Sequence, residues 1–243
     1  MTTYIKPEEL RNVRSHYCAG CGHGILHRLV AELVNEFNIT ENLVAVAPIG
    51  CAVIAYDYWK FDVSEAAHGR APAVATGIKR SLPDKIVFTY QGDGDLLAIG
   101  MSEILHAANR GEKISVFFVN NNVYGMTGGQ MAPTTLCGQK TLTTPYGRNE
   151  LDIGPPIDIM KILKNFDNVS FLARGTVTNP KEVNITKEYM RKSLQTQMDN
   201  KGFSLVEILS PCPTYWAMTP VNALKHITET VVKKFPLGII KDE

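Results

Sequence analysis

The sequence predicts an α/β fold in which helices cover both faces of a mostly parallel β-sheet. The chain has 243 residues, of which 44% are hydrophobic and 20% are charged, a balance typical of a globular protein with a substantial core. Between positions 85 and 122, an apolar segment, a polar turn, a helical segment, a second apolar segment and a second polar turn follow one another. This order is typical of a βαβ unit, whose two strands lie parallel in one sheet.

The first half of the chain contains three predicted strands and two predicted helices. Apolar residues recur at helical spacing from Ile25 to Phe37, directly after a glycine-rich segment. The short apolar run Leu43–Ala47 has the length and composition of a buried strand. The later elements of this half are a strand over 85–90, a helix over 96–109 and a strand over 114–119. Because positions 126–149 lack any periodicity, we expect a long functional loop there.

The second half of the chain again alternates between helical and extended segments. Its predicted helices cover 156–166, 180–198 and 219–235, and its predicted strands cover 169–173 and 204–209. No internal repeat, low-complexity tract or linker interrupts this alternation. We therefore expect a single domain that spans residues 1–243.

Net charge and hydropathy exclude two classes of partner. Lys and Arg number 25 while Asp and Glu number 24, so the formal net charge of +1 gives no electrostatic attraction to nucleic acid or anionic lipid. The longest apolar stretch, Val44–Tyr56, contains Pro48 and Gly50 and is shorter than the roughly 18 residues that a membrane-spanning helix needs. The N-terminus is charged and lacks the apolar segment of a secretion signal. We therefore expect a cytoplasmic protein without nucleic-acid or membrane partners.

Polar residues at the ends of two predicted strands form the first candidate site. Gly92, Asp93 and Gly94 follow the strand over 85–90, and Asn121 follows the next strand. Glycines let the backbone close on a phosphate, while a carboxylate and an amide oxygen are suitable ligands for Mg²⁺. Both turns would face one crevice at the carboxyl ends of parallel strands. The combination indicates a magnesium-diphosphate site, although each motif taken alone is also a common turn sequence.

The cysteines form the second candidate site. Cys18 and Cys21 make a Cys-x-x-Cys motif before the first helix, whereas Cys51 and Cys212 each follow a predicted strand. An odd number of cysteines in a cytoplasmic protein favours a metal or catalytic role over disulfides. Four thiolates hold either zinc or an iron–sulfur cluster, and the scattered spacing leaves both open. The fifth cysteine, Cys137 in the long loop, is expected to be a small, partly buried apolar residue.

Several motifs together resemble one family. The thiamine-diphosphate fingerprint is matched by Gly92-Asp-Gly94 followed by Asn120-Asn121, and Val123-Tyr-Gly-Met-Thr-Gly-Gly-Gln130 narrows the match. On these residues the chain resembles the β subunit of 2-oxoacid:ferredoxin oxidoreductases, from about Tyr17 to Leu237. The further matching motifs are Ala67-His-Gly-Arg70, Ala73-Val-Ala-Thr-Gly-Ile-Lys79, Met131-Ala-Pro-Thr-Thr135 and Ser210-Pro-Cys-Pro-Thr214.

This resemblance implies the fold of the pyrophosphate-binding module of thiamine-diphosphate enzymes, with the cofactor at the strand ends. Mg²⁺ would be held by Asp93, the Asn121 side chain and the Val123 carbonyl, and His68 would be a candidate catalytic residue in the same pocket. The other implied cofactor-binding residues are Gly50, Cys51, Gly92, Gly94, Asp95, Tyr124, Gly125, Met126 and Thr127. The resemblance also places a four-iron four-sulfur cluster, [4Fe-4S], on Cys18, Cys21, Cys51 and Cys212.

The implied reaction is the oxidative decarboxylation of a 2-oxoacid by coenzyme A, with electrons passing through the cluster to ferredoxin. In this superfamily, the carboxylic acid that activates the aminopyrimidine ring comes from a separate pyrimidine-binding module, and 243 residues leave no room for one. We therefore expect partners in the same complex, namely pyrimidine-binding subunits of the α/γ type and a ferredoxin-like subunit of the δ type.

The expected substrate is branched and aliphatic. Val53 and Ile54 follow the third cysteine without any neighbouring Lys, Arg or His, and an unpaired second carboxylate would be very costly to bury there. The segments Cys212–Trp216 and Thr219–Val221 also most resemble the 2-oxoisovalerate enzymes. The alternatives are a 2-oxoglutarate enzyme in which Arg70 or a partner arginine supplies the charge, a non-redox thiamine lyase, and a non-catalytic α/β binding subunit stapled by zinc.

Overall fold

A computed structural model describes residues 5–243, and its centre is a seven-stranded sheet. The strands of the sheet are β1 (Leu43–Ala47), β2 (Asp62–Glu65), β3 (Ile86–Gly92), β4 (Ser115–Asn120), β7 (Val169–Thr176), β8 (Phe203–Leu209) and β9 (Gly238–Asp242). A separate antiparallel ribbon pairs β5 (Val123–Tyr124) with β6 (Gln130–Met131). The strand order is β2-β1-β3-β4-β8-β7-β9, and every neighbouring pair is parallel except β7 with β9.

Helices cover both faces of this sheet, as the sequence predicts. They are α1 (His23–Phe37), α2 (Ala71–Ser81), α3 (Met101–Asn109), α4 (Glu150–Ile153), α5 (Ile159–Leu163), α6 (Pro180–Met198), α7 (Pro220–His226) and α8 (Val232–Lys234). Side chains of β4 alternate between two cores, because Phe117 packs with α1 and α6 while Phe118 packs with α2, α3 and α5. Within residues 5–243, no helix is both long enough and apolar enough to cross a membrane.

The helix α1 illustrates how local sequence sets the element bounds. Its apolar stripe buries Leu26, Leu29 and Leu33 against the sheet. The helix ends at Asn38, which adopts the left-handed conformation at φ 53° and donates its backbone N–H to the carbonyls of the last turn. The predicted helix over 25–37 is therefore confirmed, with a start two residues earlier at His23.

The predicted helix over 156–166 is wrong at both ends. Only Ile159–Leu163 is helical, because Pro155 and Pro156 hold the preceding chain away from helical geometry and Asp158 caps the helix by accepting a hydrogen bond from the Met160 N–H. The helix predicted over 96–109 is likewise divided, since a π-helical turn over Gly94–Ile99 precedes α3.

Several elements escape the sequence analysis. The edge strand β2 is polar and half-exposed, so it shows no hydrophobic alternation. The antiparallel edge strand β9 and the helix α2 also lie outside the predicted elements, as does the β5–β6 ribbon, whose second strand lies inside the predicted loop. The remaining predicted strands and helices are confirmed within a few residues.

A buried ionic network fixes the sheet beside the end of β4. Arg174 on β7, with 2% of its surface exposed, donates from Nε to Glu207 Oε2 at 2.7 Å and from Nη2 to Asp158 Oδ1 at 2.5 Å. Glu207 Oε1 also accepts a hydrogen bond from Asn120 Nδ2 at 2.7 Å. Two carboxylates thus compensate one guanidinium, and the network holds the last residue of β4 in place.

We expect Arg174→Met to lower the free energy of unfolding by about 3–5 kcal/mol, because the buried Glu207 carboxylate would lose its charged partner. Urea denaturation followed by circular dichroism measures the change. The control is Arg191→Met, since Arg191 pairs with Glu36 and Glu188 at the surface and its loss should cost at most about 1 kcal/mol. Equal losses in the two variants would contradict this account of the network.

Candidate cofactor and cluster sites

The carboxyl ends of β1, β3 and β4 enclose a cavity of about 110 Å³. All thirteen cofactor-binding residues expected from the resemblance line this one cavity. They are Gly50, Cys51, His68, Gly92, Asp93, Gly94, Asp95, Asn121, Val123, Tyr124, Gly125, Met126 and Thr127. Parallel strands bring these separated segments to one edge of the sheet, as the βαβ pattern predicts.

Asp93 is a buried carboxylate that lines this cavity. Its Oδ1 accepts the Gly94 N–H at 2.9 Å, and its Oδ2 accepts the Thr134 hydroxyl at 2.6 Å. Burial raises the pKa of Asp93 to about 6, although these donors and the backbone amides of Asn122 and Val123 act in the opposite direction. A bound cation would therefore stabilise the charged form of this group.

The turn after β4 presents Asn121 and Val123 to the same cavity. Asn122 between them is buried at φ 58°, and its side chain donates to Asn120 Oδ1 and to the Thr134 carbonyl at 3.0 and 2.9 Å. These bonds hold a tight left-handed turn, which Asn adopts more readily than most residues. The Asn121 carbonyl accepts the indole N–H of Trp216 at 2.9 Å.

Two glycines leave open space in the cavity wall. A Cβ atom at Gly50 or at Gly92 would meet no other atom within 4 Å. Gly94, by contrast, lies against the Tyr124 ring, where a Cβ would approach a ring carbon to 2.0 Å. The first two glycines thus keep room for a ligand, while Gly94 allows the aromatic ring to pack on the turn.

His68 is positioned by Asp95. Its Nδ1 lies 2.6 Å from Asp95 Oδ1, and this carboxylate also accepts the Gly69 N–H and the Ile49 N–H at 2.9 and 3.3 Å. Gln91 Nε2 donates to Asp95 Oδ2 at 2.6 Å. The Asp95 carboxylate therefore joins three segments of the cavity wall and fixes the imidazole ring between them.

Four cysteines line a second cavity of about 300 Å³. These are Cys18, Cys21, Cys51 and Cys212, the four expected to hold the cluster. A Cβ at Gly125 would lie 3.1 Å from Cys51 Sγ, which is tighter than an ordinary contact, so glycine lets this sulfur approach the turn freely. Among residues 5–243, no group of three or more His, Cys, Asp or Glu side chains is close enough to bind a single metal ion.

The thiols in this cavity carry perturbed pKa values. Burial raises the pKa of Cys21 to about 11 and that of Cys212 to about 12, against the effect of backbone N–H donors from His23 and Tyr215. Burial also raises the pKa of Cys51, and the nearby Cys18 and Asp93 raise it further. Bound iron or zinc would offset these costs, since metals bind the thiolate.

Cys137 lies apart from this group. It is exposed, and its Sγ lies 3.6 Å from Glu150 Oε2. The expectation that it would be partly buried is wrong, because the loop around it runs over the surface. Cys137 lines neither of the two cavities.

The two cavities share a wall. Five residues line both of them, namely His23, Cys51, Asn121, Gly125 and Met126. A group bound by Asp93 and Asn121 would therefore lie next to a group bound by the cysteines.

Sequence reasoning missed two residues of this region. Thr134 is completely buried and donates to Asp93 from 41 positions away, and His23 places a buried ring between the cavities. Thr134 falls inside a motif that carries the resemblance, and His23 directly follows the Cys-x-x-Cys segment. Their positions, inside a matching motif for Thr134 and directly after one for His23, are therefore the signal that could have identified them.

Comparisons with known proteins identify the family and the fold of this chain. Residues 49–208 match the family described as the C-terminal thiamine pyrophosphate-binding domain of thiamine pyrophosphate enzymes. The structure is similar to a 2-oxoglutarate:ferredoxin oxidoreductase from Magnetococcus marinus, with a TM-score of 0.81 and 26% identity over 98% of this chain and 85% of that chain.

Two relatives show the sequence similarity. The ketoisovalerate oxidoreductase subunit VorA of Methanothermobacter thermautotrophicus is 46% identical over 98% of this chain and 52% of its own length. The 2-oxoglutarate synthase subunit KorB of Archaeoglobus fulgidus is 38% identical over 93% of this chain and 79% of its own length. This chain thus spans about half the length of the VorA relatives. It belongs to the thiamine-diphosphate-binding subunits of the 2-oxoacid:ferredoxin oxidoreductase family.

Proposed function

We propose that this chain is the thiamine-diphosphate-binding part of an enzyme that converts a 2-oxoacid and coenzyme A to an acyl-CoA and carbon dioxide. Electrons would pass through a four-iron four-sulfur cluster to ferredoxin. The observation that carries the proposal is the shared wall between the Asp93 cavity and the cysteine cavity. Adjacent sites suit a reaction in which a substrate is oxidised directly beside an electron acceptor.

The residues around Asp93 fit a magnesium ion and a diphosphate. Asp93, the Asn121 side chain and the Val123 carbonyl would supply three oxygen ligands, leaving positions for phosphate and water. Gly92 and Gly50 keep the space that a phosphate group needs. When bound, thiamine diphosphate supplies the nucleophilic carbon that attacks a 2-oxoacid.

His68 is proposed to act on a proton or an oxygen atom at this site. Its Nδ1 bonds to Asp95, which leaves Nε2 for the cavity. Asp95 itself lines the cavity, but its carboxylate accepts hydrogen bonds from three segments of this chain. We therefore assign to Asp95 the positioning of His68.

The cysteine cavity favours a cluster over zinc. In a four-cysteine zinc site, each of the four sulfur atoms lies about 2.3 Å from the one zinc ion. Here the four cysteines line one cavity of about 300 Å³, which leaves room for a polynuclear cluster.

The size of the Asp93 cavity supports partner subunits. A pocket for a ligand of drug size has a volume of about 300–1,000 Å³, whereas this cavity has about 110 Å³. It would therefore enclose one end of thiamine diphosphate, and a pyrimidine-binding subunit would cover the other end. A δ-type ferredoxin-like subunit and external ferredoxin complete the proposed complex.

The proposed substrate is 2-oxoisovalerate. Val53 and Ile54 line the cysteine cavity, and the described residues around the two cavities include no Lys or Arg. Arg70, the candidate cation for a second carboxylate, forms an ion pair with Glu103 and lines neither cavity. The similarity to the ketoisovalerate oxidoreductase subunit also supports 2-oxoisovalerate as the substrate.

The proposed function is tested on the complex purified without oxygen. We expect a brown protein that contains iron and reduces ferredoxin when 2-oxoisovalerate and coenzyme A are both supplied. A colourless complex that contains zinc would favour the non-catalytic α/β binding subunit with a structural zinc site. Decarboxylation without electron transfer would favour a non-redox thiamine lyase.

We expect Asp93→Asn to weaken thiamine diphosphate binding more than about 100-fold, because losing even an outer partner of a metal ligand costs about 10–100-fold in affinity. The fold should persist, since the amide can still accept hydrogen bonds from Thr134 or Gly94. Bound thiamine and thermal unfolding are measured on one sample. The control is Asp167→Asn at an exposed turn, and unfolding of Asp93→Asn alone would indicate a structural role.

We expect Cys212→Ser to lose most of its bound iron and Cys137→Ser to retain it, because only the first lines the cysteine cavity. Iron content and visible absorbance are measured after purification without oxygen. The ligand assignment would be wrong if Cys137→Ser lost the iron while Cys212→Ser kept it.

We expect kcat/KM for 2-oxoisovalerate to exceed that for 2-oxoglutarate by more than about tenfold, equivalent to about 1.4 kcal/mol of transition-state binding. Ile54→Ala should narrow this ratio, since each buried methylene contributes about 0.8 kcal/mol to binding an aliphatic tail. The control is Val221→Ala, an exposed position on α7. A preference for 2-oxoglutarate would contradict the aliphatic site.

A further inference from the structure

His23 is a polar side chain at the junction of the two cavities that the proposed function leaves without a role. It is the first residue of α1 and is 4% exposed. Of the five residues that line both cavities, Cys51 and Asn121 are proposed cofactor ligands, while Gly125 and Met126 carry no N–H group on their side chains. Among these five residues, the imidazole is therefore the remaining side chain with an N–H group at the place where a substrate would meet both cofactors.

The position of the ring is fixed by Tyr90. The Tyr90 hydroxyl lies 2.7 Å from His23 Nδ1, and the Tyr17 ring stacks on the imidazole with centroids 4.8 Å apart. Within the described chain, Nδ1 is the only hydrogen-bond partner of this hydroxyl. A buried hydroxyl without an acceptor would cost about 1–3 kcal/mol, so the phenol donates to Nδ1.

The proton of the neutral imidazole then resides on Nε2. No described residue hydrogen-bonds to Nε2, and the ring lines both cavities. The contact with Tyr90 thus makes His23 a fixed N–H donor at the junction.

We infer that His23 is a catalytic residue that donates its Nε2–H to an oxygen of the 2-oxoacid. The inference rests on the proposed function. With thiamine diphosphate bound on the Asp93 side and the cluster on the cysteine side, the reacting groups of the acid would lie at the junction of the two cavities, which His23 lines. Negative charge grows on the keto oxygen as its carbon is attacked, and a fixed donor aimed at that charge lowers the barrier. His23 forms no covalent bond and gives up no proton in this role.

Two substitutions, made in the assembled complex, test the roles of the two ring nitrogens separately. His23→Asn keeps a polar atom near Nδ1 for Tyr90 but places nothing at Nε2, whereas His23→Gln keeps a donor near Nε2. We expect His23→Asn to lower kcat for 2-oxoisovalerate about 100-fold, as removal of one such donor costs about 10²–10³-fold. His23→Gln should stay within about tenfold of the unsubstituted complex, on the same scale.

Binding provides a readout that is independent of turnover. Methyl isobutyrylphosphonate resembles 2-oxoisovalerate and cannot lose carbon dioxide, and calorimetry gives its dissociation constant. We expect the dissociation constant of the analogue to rise more than about tenfold in His23→Asn, which corresponds to a loss of about 1.4 kcal/mol of binding free energy. The constant should change less in His23→Gln. Iron and thiamine diphosphate contents should be unchanged in both variants.

Each contrary outcome overturns the inference. If kcat and analogue binding were unchanged in His23→Asn, His23 would not act as a donor. If both variants lost their iron, His23 would be a structural residue. Tyr90→Phe, which frees the ring but keeps Nε2, should lower kcat less than His23→Asn, and a larger loss would also assign a structural role. If the unsubstituted complex held neither cofactor, the proposed function would fail first and this inference with it.

Discussion

The parallel pairing of β1, β3 and β4 is the constraint on which the candidate sites depend. Val46 is paired with Thr89, and Gly92 with Val119, so the three strands end close to one edge of the sheet. Helices in such a fold run back against the strands, and the N-terminus of α1 therefore reaches the same edge. The register of the sheet thus places Asp93, Asn121 and the cysteines within one region.

The buried side chains of Arg174 and Asp93 differ in how their charges are compensated within the chain. Arg174 is compensated within the chain by Glu207 and Asp158, which makes it part of the scaffold. Asp93 has hydrogen-bond donors, but no Lys or Arg among the described residues lines its cavity, and its pKa is raised to about 6. A carboxylate buried in this way lowers the stability of the empty site and favours a cation. This is the contrast expected between a structural ion pair and the proposed cation site.

The parts of the site that could be predicted from sequence are those encoded locally. Asp93 and Asn121 follow apolar strands directly, and the crossover rule then brings the two turns together. The strongly periodic helix α1 is recognisable for the same reason. The general position of the site follows from strand order alone.

The remaining features depend on contacts that no local pattern encodes. Thr134 reaches Asp93 only because the loop folds back across the turn after β4. The strand β2 is a polar edge, and β9 pairs with β7 about 70 residues earlier in the chain, so neither has a periodic apolar signature. The role of Tyr90 in orienting His23 joins positions 67 residues apart.

The hydrogen bond from Trp216 to the Asn121 carbonyl connects the two sites mechanically. Trp216 lies four residues after Cys212 and its own backbone N–H bonds to the Cys212 carbonyl at 3.0 Å, so one short segment contacts both the cysteine cavity and the turn after β4. Ordering this segment at one site removes part of the entropy that the other site would lose on filling. Such coupling is reciprocal by thermodynamic necessity. Filling of either proposed site would therefore favour filling of the other.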